Sequence, residues 1–152
     1  MQRSFLWSLV VGMLLLACSS DNYTYENPNL LDVKVDFTVN LALPQYNPLT
    51  FTMQPVMIRG YGSGGKDGGV ILTKTGTDTY VAYDARDPNN PAECGVLSIK
   101  GHEGVSGCSD HNTYNLISGT PIESKSEGED LEFSMKPYQV IDMGGGILRV
   151  KN

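Results

Sequence analysis

Residues 33–43 read Val-Lys-Val-Asp-Phe-Thr-Val-Asn-Leu-Ala-Leu, with an apolar side chain at every odd position. Polar side chains fill most of the even positions between them. A period of two residues is typical of a half-buried β-strand, because successive side chains point to opposite faces of the sheet. The stretch therefore predicts a strand whose odd face, which includes Phe37, packs against the core.

Shorter runs of the same kind follow along the chain. Further extended segments are indicated at 51–59, 70–74, 79–85, 95–100, 106–116 and 131–135. Residues 138–143 and 147–150 flank three consecutive glycines and predict a closing hairpin. No window shows an apolar stripe with the helical period of 3.6 residues. We therefore predict an all-β fold for residues 33–152, a small sandwich or barrel of about nine or ten short antiparallel strands.

The composition limits the size and the partners of the protein. Its 152 residues are enough for one domain, and the apolar fraction of 40% is enough for a core. The chain has 11 basic and 17 acidic residues, so its formal net charge is −6. An excess of negative charge argues against a basic surface that binds nucleic acid, and we predict no nucleic-acid partner.

The first residues are typical of an export signal. Residues 1–17 contain Arg3 and then a mostly apolar run, which is too short for a spanning helix of about 20 residues. The run ends in Leu-Leu-Ala before Cys18 and resembles a bacterial lipobox. The resemblance implies lipidation of Cys18, residues 18–32 as lipid anchor and tether, and a membrane-attached protein of the cell envelope. The residue after the cysteine is Ser19, which favours sorting of the lipoprotein to the outer membrane. The alternative to a lipoprotein signal is an ordinary signal peptide in which Cys18 occurs by chance.

Two cysteines remain if Cys18 carries lipid. An exported compartment favours a disulfide between Cys94 and Cys108, which would stabilise the domain by roughly 3 kcal/mol. The alternatives are free thiols or a zinc site formed by the two cysteines with His102 and His111. The spacing of these four residues matches no familiar zinc motif, and His102 is expected in a solvated turn.

Two other segments carry weaker signals. The glycine-rich residues 60–65 contain a loose phosphate-loop pattern, but a strand follows where a phosphate site needs a helix. The acidic residues 123–132 lack the alternating ligands of a calcium loop and indicate a solvated loop. We predict neither nucleotide binding nor calcium binding at these places.

Five segments together resemble the Rieske iron–sulfur domain family over about residues 33–151. They are 80–90, Cys108-Ser-Asp-His111, 114–121, the strand Met-Lys-Pro-Tyr-Gln-Val at 135–140 and the final Gly-Ile-Leu-Arg-Val at 146–150. The resemblance implies an all-β domain in which a Cys-x-His pair and a Cys-x-x-His pair hold a [2Fe–2S] cluster.

The chain departs from this family at the ligand positions. Cys108 and His111 match the second ligand pair, whereas Asp87 and Asn89 stand where a cysteine and a histidine are needed. Asp110 stands where some members have an extra cysteine. The resemblance thus implies that these four positions are relics of a cluster site. Without a cluster, Cys108 is free to form a disulfide with Cys94. Cys94 lies near the position at which disulfide-bearing members of the family have a bridging cysteine.

These observations lead to one expected function and two alternatives. The expected protein is an envelope lipoprotein that has lost its cluster, is not an enzyme, holds no cofactor and acts as an interaction module for an envelope protein. The first alternative is a periplasmic electron-transfer protein that retains a [2Fe–2S] cluster. The second is a mononuclear metal-binding protein that uses Cys108 and His111.

Overall fold

The structure, a computed structural model, describes residues 25–124 and 130–152. The predicted signal segment, Cys18 and part of the acidic loop lie outside these residues. None of the helices within the two described ranges is long and apolar enough to cross a membrane.

The described residues form ten strands, which confirms the predicted all-β fold. The strands are β1 (Asp36–Asn40), β2 (Val56–Arg59), β3 (Gly69–Gly76), β4 (Thr79–Asp84), β5 (Ser98–Lys100), β6 (Glu103–Val105), β7 (Thr113–Asn115), β8 (Pro121–Glu123), β9 (Pro137–Asp142) and β10 (Ile147–Lys151). Helical structure in the same residues is short. It comprises 3-10 helices at Pro44–Thr50 and Gly65–Asp67 and one α-helical turn, α1 (Pro91–Cys94).

The strands form two antiparallel sheets. The larger sheet has six strands in the order β1-β10-β9-β4-β3-β2, and the smaller has four in the order β5-β6-β7-β8. The hairpin of β9 and β10 lies where the sequence predicts it, and its chain reversal passes through three glycines with positive φ. Chain reversals of this kind favour glycine because it has no Cβ to clash.

The alternating segment around Phe37 packs largely as predicted. Val35, Phe37 and Val39 are buried, and Phe37 lies opposite Val150 across the β1–β10 pair. The expected burial of Leu43 is wrong, since its side chain is 42% exposed. The strand ends at Asn40 and the chain turns into the first 3-10 helix, so the alternation no longer follows the sheet.

Two apolar cores share the central strands β3 and β4. Val70, Leu72 and Ala82 face a core inside the six-stranded sheet. Ile71 and Tyr83 face the opposite side, where the small sheet and its flanking residues form a second core. Both faces of these strands are therefore covered, which explains the uninterrupted apolar run Val-Ile-Leu at the start of β3.

Three of the predicted strands differ clearly from the observed elements. The run at 51–59 becomes a strand only after Pro55, a residue that cannot donate to a sheet. Residues 106–116 are not one strand, because β6 and β7 are separated by a loop at 106–112. Residues 131–135 form no strand, and the main chain of Phe133 instead exchanges hydrogen bonds with the side chain of Asn89.

Candidate functional site

Two loops at one end of the small sheet bring the predicted site residues together. The first loop, residues 85–97, connects β4 to β5 and contains α1. The second loop, residues 106–112, connects β6 to β7. A disulfide between Cys94 and Cys108 joins the loops, with Cα atoms 5.2 Å apart. The pairing that the sequence favours is thus the one that the structure contains.

Asp87 lies at the centre of a buried hydrogen-bond network. Its Oδ1 accepts from the hydroxyl of Tyr114 at 2.6 Å and from the backbone N–H groups of Asn89 and Asn90 at 2.9 and 3.3 Å. Its Oδ2 accepts from Nδ2 of Asn112 at 3.1 Å. The carboxylate is fully buried and holds the first loop against the second. Its oxygens are therefore already used within the protein.

Asn89 connects the first loop to the segment before β9. Its Nδ2 donates to the hydroxyl of Tyr114 at 2.8 Å and to the carbonyl of Phe133 at 2.9 Å. Its Oδ1 accepts from the backbone N–H of Phe133 at 3.0 Å. Both ends of the amide are engaged, so Asn89 fixes the position of a chain segment 44 residues away in sequence.

The two residues of the second predicted ligand pair, Cys108 and His111, have different surroundings in the structure. The sulfur of Cys108 is bonded to Cys94, whereas the His111 side chain is exposed and its residue has a φ of 47°. Among the residues that the structure describes, the group of potential metal ligands within mutual reach is Cys94, Cys108 and Asp110. Neither His111 nor His102 belongs to it, so the four-residue zinc arrangement considered from the sequence does not form there.

Two further residues take part in the network, Asp110 and Asn112. The sequence indicates Asp110 only as the replacement of a cysteine and gives Asn112 no role. Oδ2 of Asp110 accepts from Nδ2 of Asn90 at 3.3 Å and from Nδ2 of Asn112 at 3.2 Å, and Oδ1 accepts from the Ser106 hydroxyl at 3.2 Å. Asn112 thus links the carboxylates of Asp87 and Asp110, while its own buried Oδ1 has no hydrogen-bond partner in the described structure. The available signal was the high density of Asp and Asn in both loops.

The residues before β1 are attached to the outside of the first loop. Tyr25 donates its hydroxyl to the carbonyl of Ser134 at 2.6 Å, and Asn27 donates to the carbonyl of Pro88 at 2.9 Å. Lys136 forms an ion pair with Asp32 at 2.9 Å. Much of the segment that the sequence indicates as a tether is therefore in contact with the domain.

The glycine-rich loop surrounds a second buried carboxylate. Asp84 accepts hydrogen bonds from the backbone N–H and hydroxyl of Ser63, from the N–H of Arg86 and from the hydroxyl of Tyr138. Gly62 has a positive φ, and a Cβ there would lie 2.7 Å from Oδ2 of Asp84. The absence of a side chain at Gly62 thus lets the backbone of this loop approach the carboxylate of Asp84.

Tyr114, beside Asp87, and Tyr138, beside Asp84, lead us to expect that the protein is less stable at alkaline pH. Burial raises the pKa of Tyr114, and its hydrogen bond to Asp87 adds to the shift. Burial likewise raises the pKa of Tyr138, together with the charge of Asp84. Above about pH 10 unfolded tyrosines lose protons that these two retain when folded. The free energy of unfolding should therefore fall as pH rises beyond that value.

Urea unfolding at about pH 8 and about pH 11 measures this effect. Tyr114→Phe should reduce the pH dependence, because the substituted side chain cannot titrate. An unchanged difference between the two pH values in that variant would contradict the assignment to Tyr114.

Comparison with known proteins gives only distant structural likeness. No family model matches the chain, and no curated protein matches it. A solved structure assigned as the small subunit of an NADH-dependent nitrite reductase from Mycobacterium tuberculosis is similar over 80% of this chain and 97% of that one. The TM-score is 0.43 and the identity 17%, which is too distant to assign a ligand or an activity.

Proposed function

We propose that the chain is a lipid-anchored bacterial envelope protein with a Rieske-like domain that lacks an iron–sulfur cluster and acts as a non-catalytic interaction module. One observation carries this proposal: the four positions that correspond to cluster ligands serve other purposes. Asp87 and Asn89 are engaged in structural hydrogen bonds, Cys108 is in a disulfide, and His111 points to solvent.

The donor atoms at these positions do not fit a Rieske cluster. Such a cluster needs two thiolates on one iron and two imidazoles on the other. Cys108 is the only sulfur among the four positions, and it is bonded to Cys94. A neutral amide at Asn89 cannot replace an imidazole, and its oxygen already accepts from Phe133. We therefore assign no electron-transfer step to this domain.

Exposed apolar side chains support a role in contact with a partner. Phe51 and Met53 are exposed two residues apart in the turn before β2, and Leu31 is exposed in the segment before β1. Neighbouring exposed apolar side chains such as Phe51 and Met53 are the kind of surface that a partner protein can cover. The acidic charge of the chain disfavours nucleic acid, which leaves a protein of the envelope as the proposed partner.

The contacts of residues 25–32 bear on how the anchored domain is held. If Cys18 carries the lipid, Tyr25 follows it by seven residues. Such a stretch spans at most about 25 Å when fully extended. Because Tyr25 and Asn27 are hydrogen-bonded to the domain, the tether between the lipid and the domain can be no longer than this distance. The proposed anchor would therefore keep the domain near the membrane surface. We propose that this membrane is the outer membrane.

Substitution of the proposed lipid attachment site tests the anchor. Cys18→Ser removes the thiol that would be acylated, so the variant should lose lipid labelling and either leave the membrane fraction or remain unprocessed. Fractionation and labelling with a fatty-acid analogue measure both properties. Cys94→Ser provides the matched control and should remain labelled; labelling of Cys18→Ser at the wild-type level would contradict the anchor.

A further inference from the structure

We propose that reduction of the Cys94–Cys108 disulfide converts the junction of the two loops into a binding site for one zinc-class divalent metal ion. The ligands would be the two thiolates and the carboxylate of Asp110. Their ligand atoms already lie within 4.8 Å of one another, although the two residues of the pair belong to different loops. This inference goes beyond the proposed interaction role and does not depend on the lipid anchor.

The surroundings of Asp110 provide the first argument. The residue is only 9% exposed, and its hydrogen-bond donors are the neutral side chains of Ser106, Asn90 and Asn112. Within residues 25–124 and 130–152, no Lys, Arg or His forms an ion pair with this carboxylate. Buried carboxylates are usually paired with a cation or bound to a metal ion. Asp84 and Asp87 are also buried without a cation, but each accepts four hydrogen bonds in the described structure. Asp110 accepts three there, at 3.2 to 3.3 Å, so its carboxylate retains the capacity to bind a cation.

The neighbouring amide of Asn112 fixes the position of the Asp110 carboxylate. Asn112 is buried and donates Nδ2 to both Asp87 and Asp110, which fixes the orientation of its amide. The reverse orientation would place its oxygen against two carboxylates. Its Oδ1 consequently remains a buried acceptor without a partner in the described structure. The Nδ2 group of Asn112, and not its oxygen, therefore faces Asp110 and holds the carboxylate at the junction of the two loops.

The chemistry of the donor set favours zinc over calcium or magnesium. Two thiolates and one carboxylate provide three of the four ligands of a tetrahedral site, and zinc binds both donor types. Hard cations prefer a full set of oxygen ligands. Cys94 and Cys108 are only partly buried, so water can complete the coordination. The disulfide form offers no thiolate, and binding is thus confined to the reduced protein.

The reduction step balances with a dithiol as the reductant. The dithiol transfers two electrons to the Cys94–Cys108 bond and becomes a disulfide, and its two protons pass to the released sulfurs. Binding of the divalent ion then displaces both protons from Cys94 and Cys108, because the thiolate is the form that binds metal. Oxidation of the pair would reverse these steps and release the ion.

Cobalt(II) is the probe, because thiolate coordination gives it a charge-transfer absorption. The purified protein is reduced without air by a phosphine, desalted and titrated with Co²⁺, and its two free thiols are counted by alkylation. We expect one Co²⁺ per reduced chain, displaced by Zn²⁺, and no thiolate absorption with the unreduced protein. A reduced protein with both thiols free but no such absorption would overturn the proposal.

Two variants identify the third ligand. Asp110→Asn retains the size of the side chain and should weaken Co²⁺ binding by at least about tenfold. His111→Ala, in the same loop, should bind as the wild type does. Unchanged binding by Asp110→Asn, or loss of binding in His111→Ala, would overturn the ligand set. Iron and sulfide in the protein as purified would instead contradict the proposed cluster-free function, so the two failures are distinguishable.

Discussion

Replacement of Asp87 by alanine is expected to lower the free energy of unfolding by about 3–5 kcal/mol. The carboxylate is fully buried and accepts four hydrogen bonds, from Tyr114, Asn89, Asn90 and Asn112. Alanine would leave these donors buried without an acceptor, and each unsatisfied group has a desolvation cost of about 1–3 kcal/mol. The expected loss is large because this carboxylate joins the first loop to Tyr114 and Asn112.

Urea unfolding of the wild type, Asp87→Ala and Asp67→Ala measures this difference. Asp67 is the matched control, because its side chain is 70% exposed and pairs only with the adjacent Lys66 among the described residues. Its substitution should change the free energy of unfolding by no more than about 0.5 kcal/mol. Equal losses in the two variants would show that Asp87 does not hold the loops together.

Replacement of Phe37 by alanine should cost a similar amount, about 3–5 kcal/mol. The ring is buried in the core of the six-stranded sheet, opposite Val150. It also stacks on Tyr61, with ring centroids 4.0 Å apart. The substitution would leave a cavity between β1 and the glycine-rich loop and would remove this aromatic contact.

Thr38→Ala is the control for the Phe37 substitution. Thr38 is the next residue of β1, and its side chain is exposed on the opposite face. Chemical denaturation should show a loss of no more than about 1 kcal/mol for this variant. Comparable losses at Phe37 and Thr38 would contradict the assignment of the two faces.

The sequence predicts the strands whose alternation is imposed by a single buried face. Val35, Phe37 and Val39 all lie in the core, and the β9–β10 hairpin surrounds its three glycines. The segment at 131–135 alternates in the same way, but the side chain of Asn89 takes the hydrogen bonds of Phe133. A partner 44 residues away leaves no local mark, so periodicity alone could not exclude a strand there.

Only part of the candidate site can be predicted from the sequence, because most of its contacts join residues that are distant along the chain. The pairing of Cys94 with Cys108 follows from the small number of cysteines and from the compartment that the first residues indicate. The burial of Asp110 and the bridging amide of Asn112 depend on the packing of two loops against each other. Nothing in the local sequence distinguishes these residues from the solvated Asp and Asn of ordinary turns.

Iron and acid-labile sulfide analysis of the purified protein, combined with its visible spectrum and a count of free thiols, tests the central claim most directly. The account predicts colourless protein without iron or sulfide, in which neither Cys94 nor Cys108 is alkylated before reduction. Stoichiometric iron and sulfide, the visible absorption of an iron–sulfur chromophore and two alkylated cysteines would contradict it and would favour electron transfer.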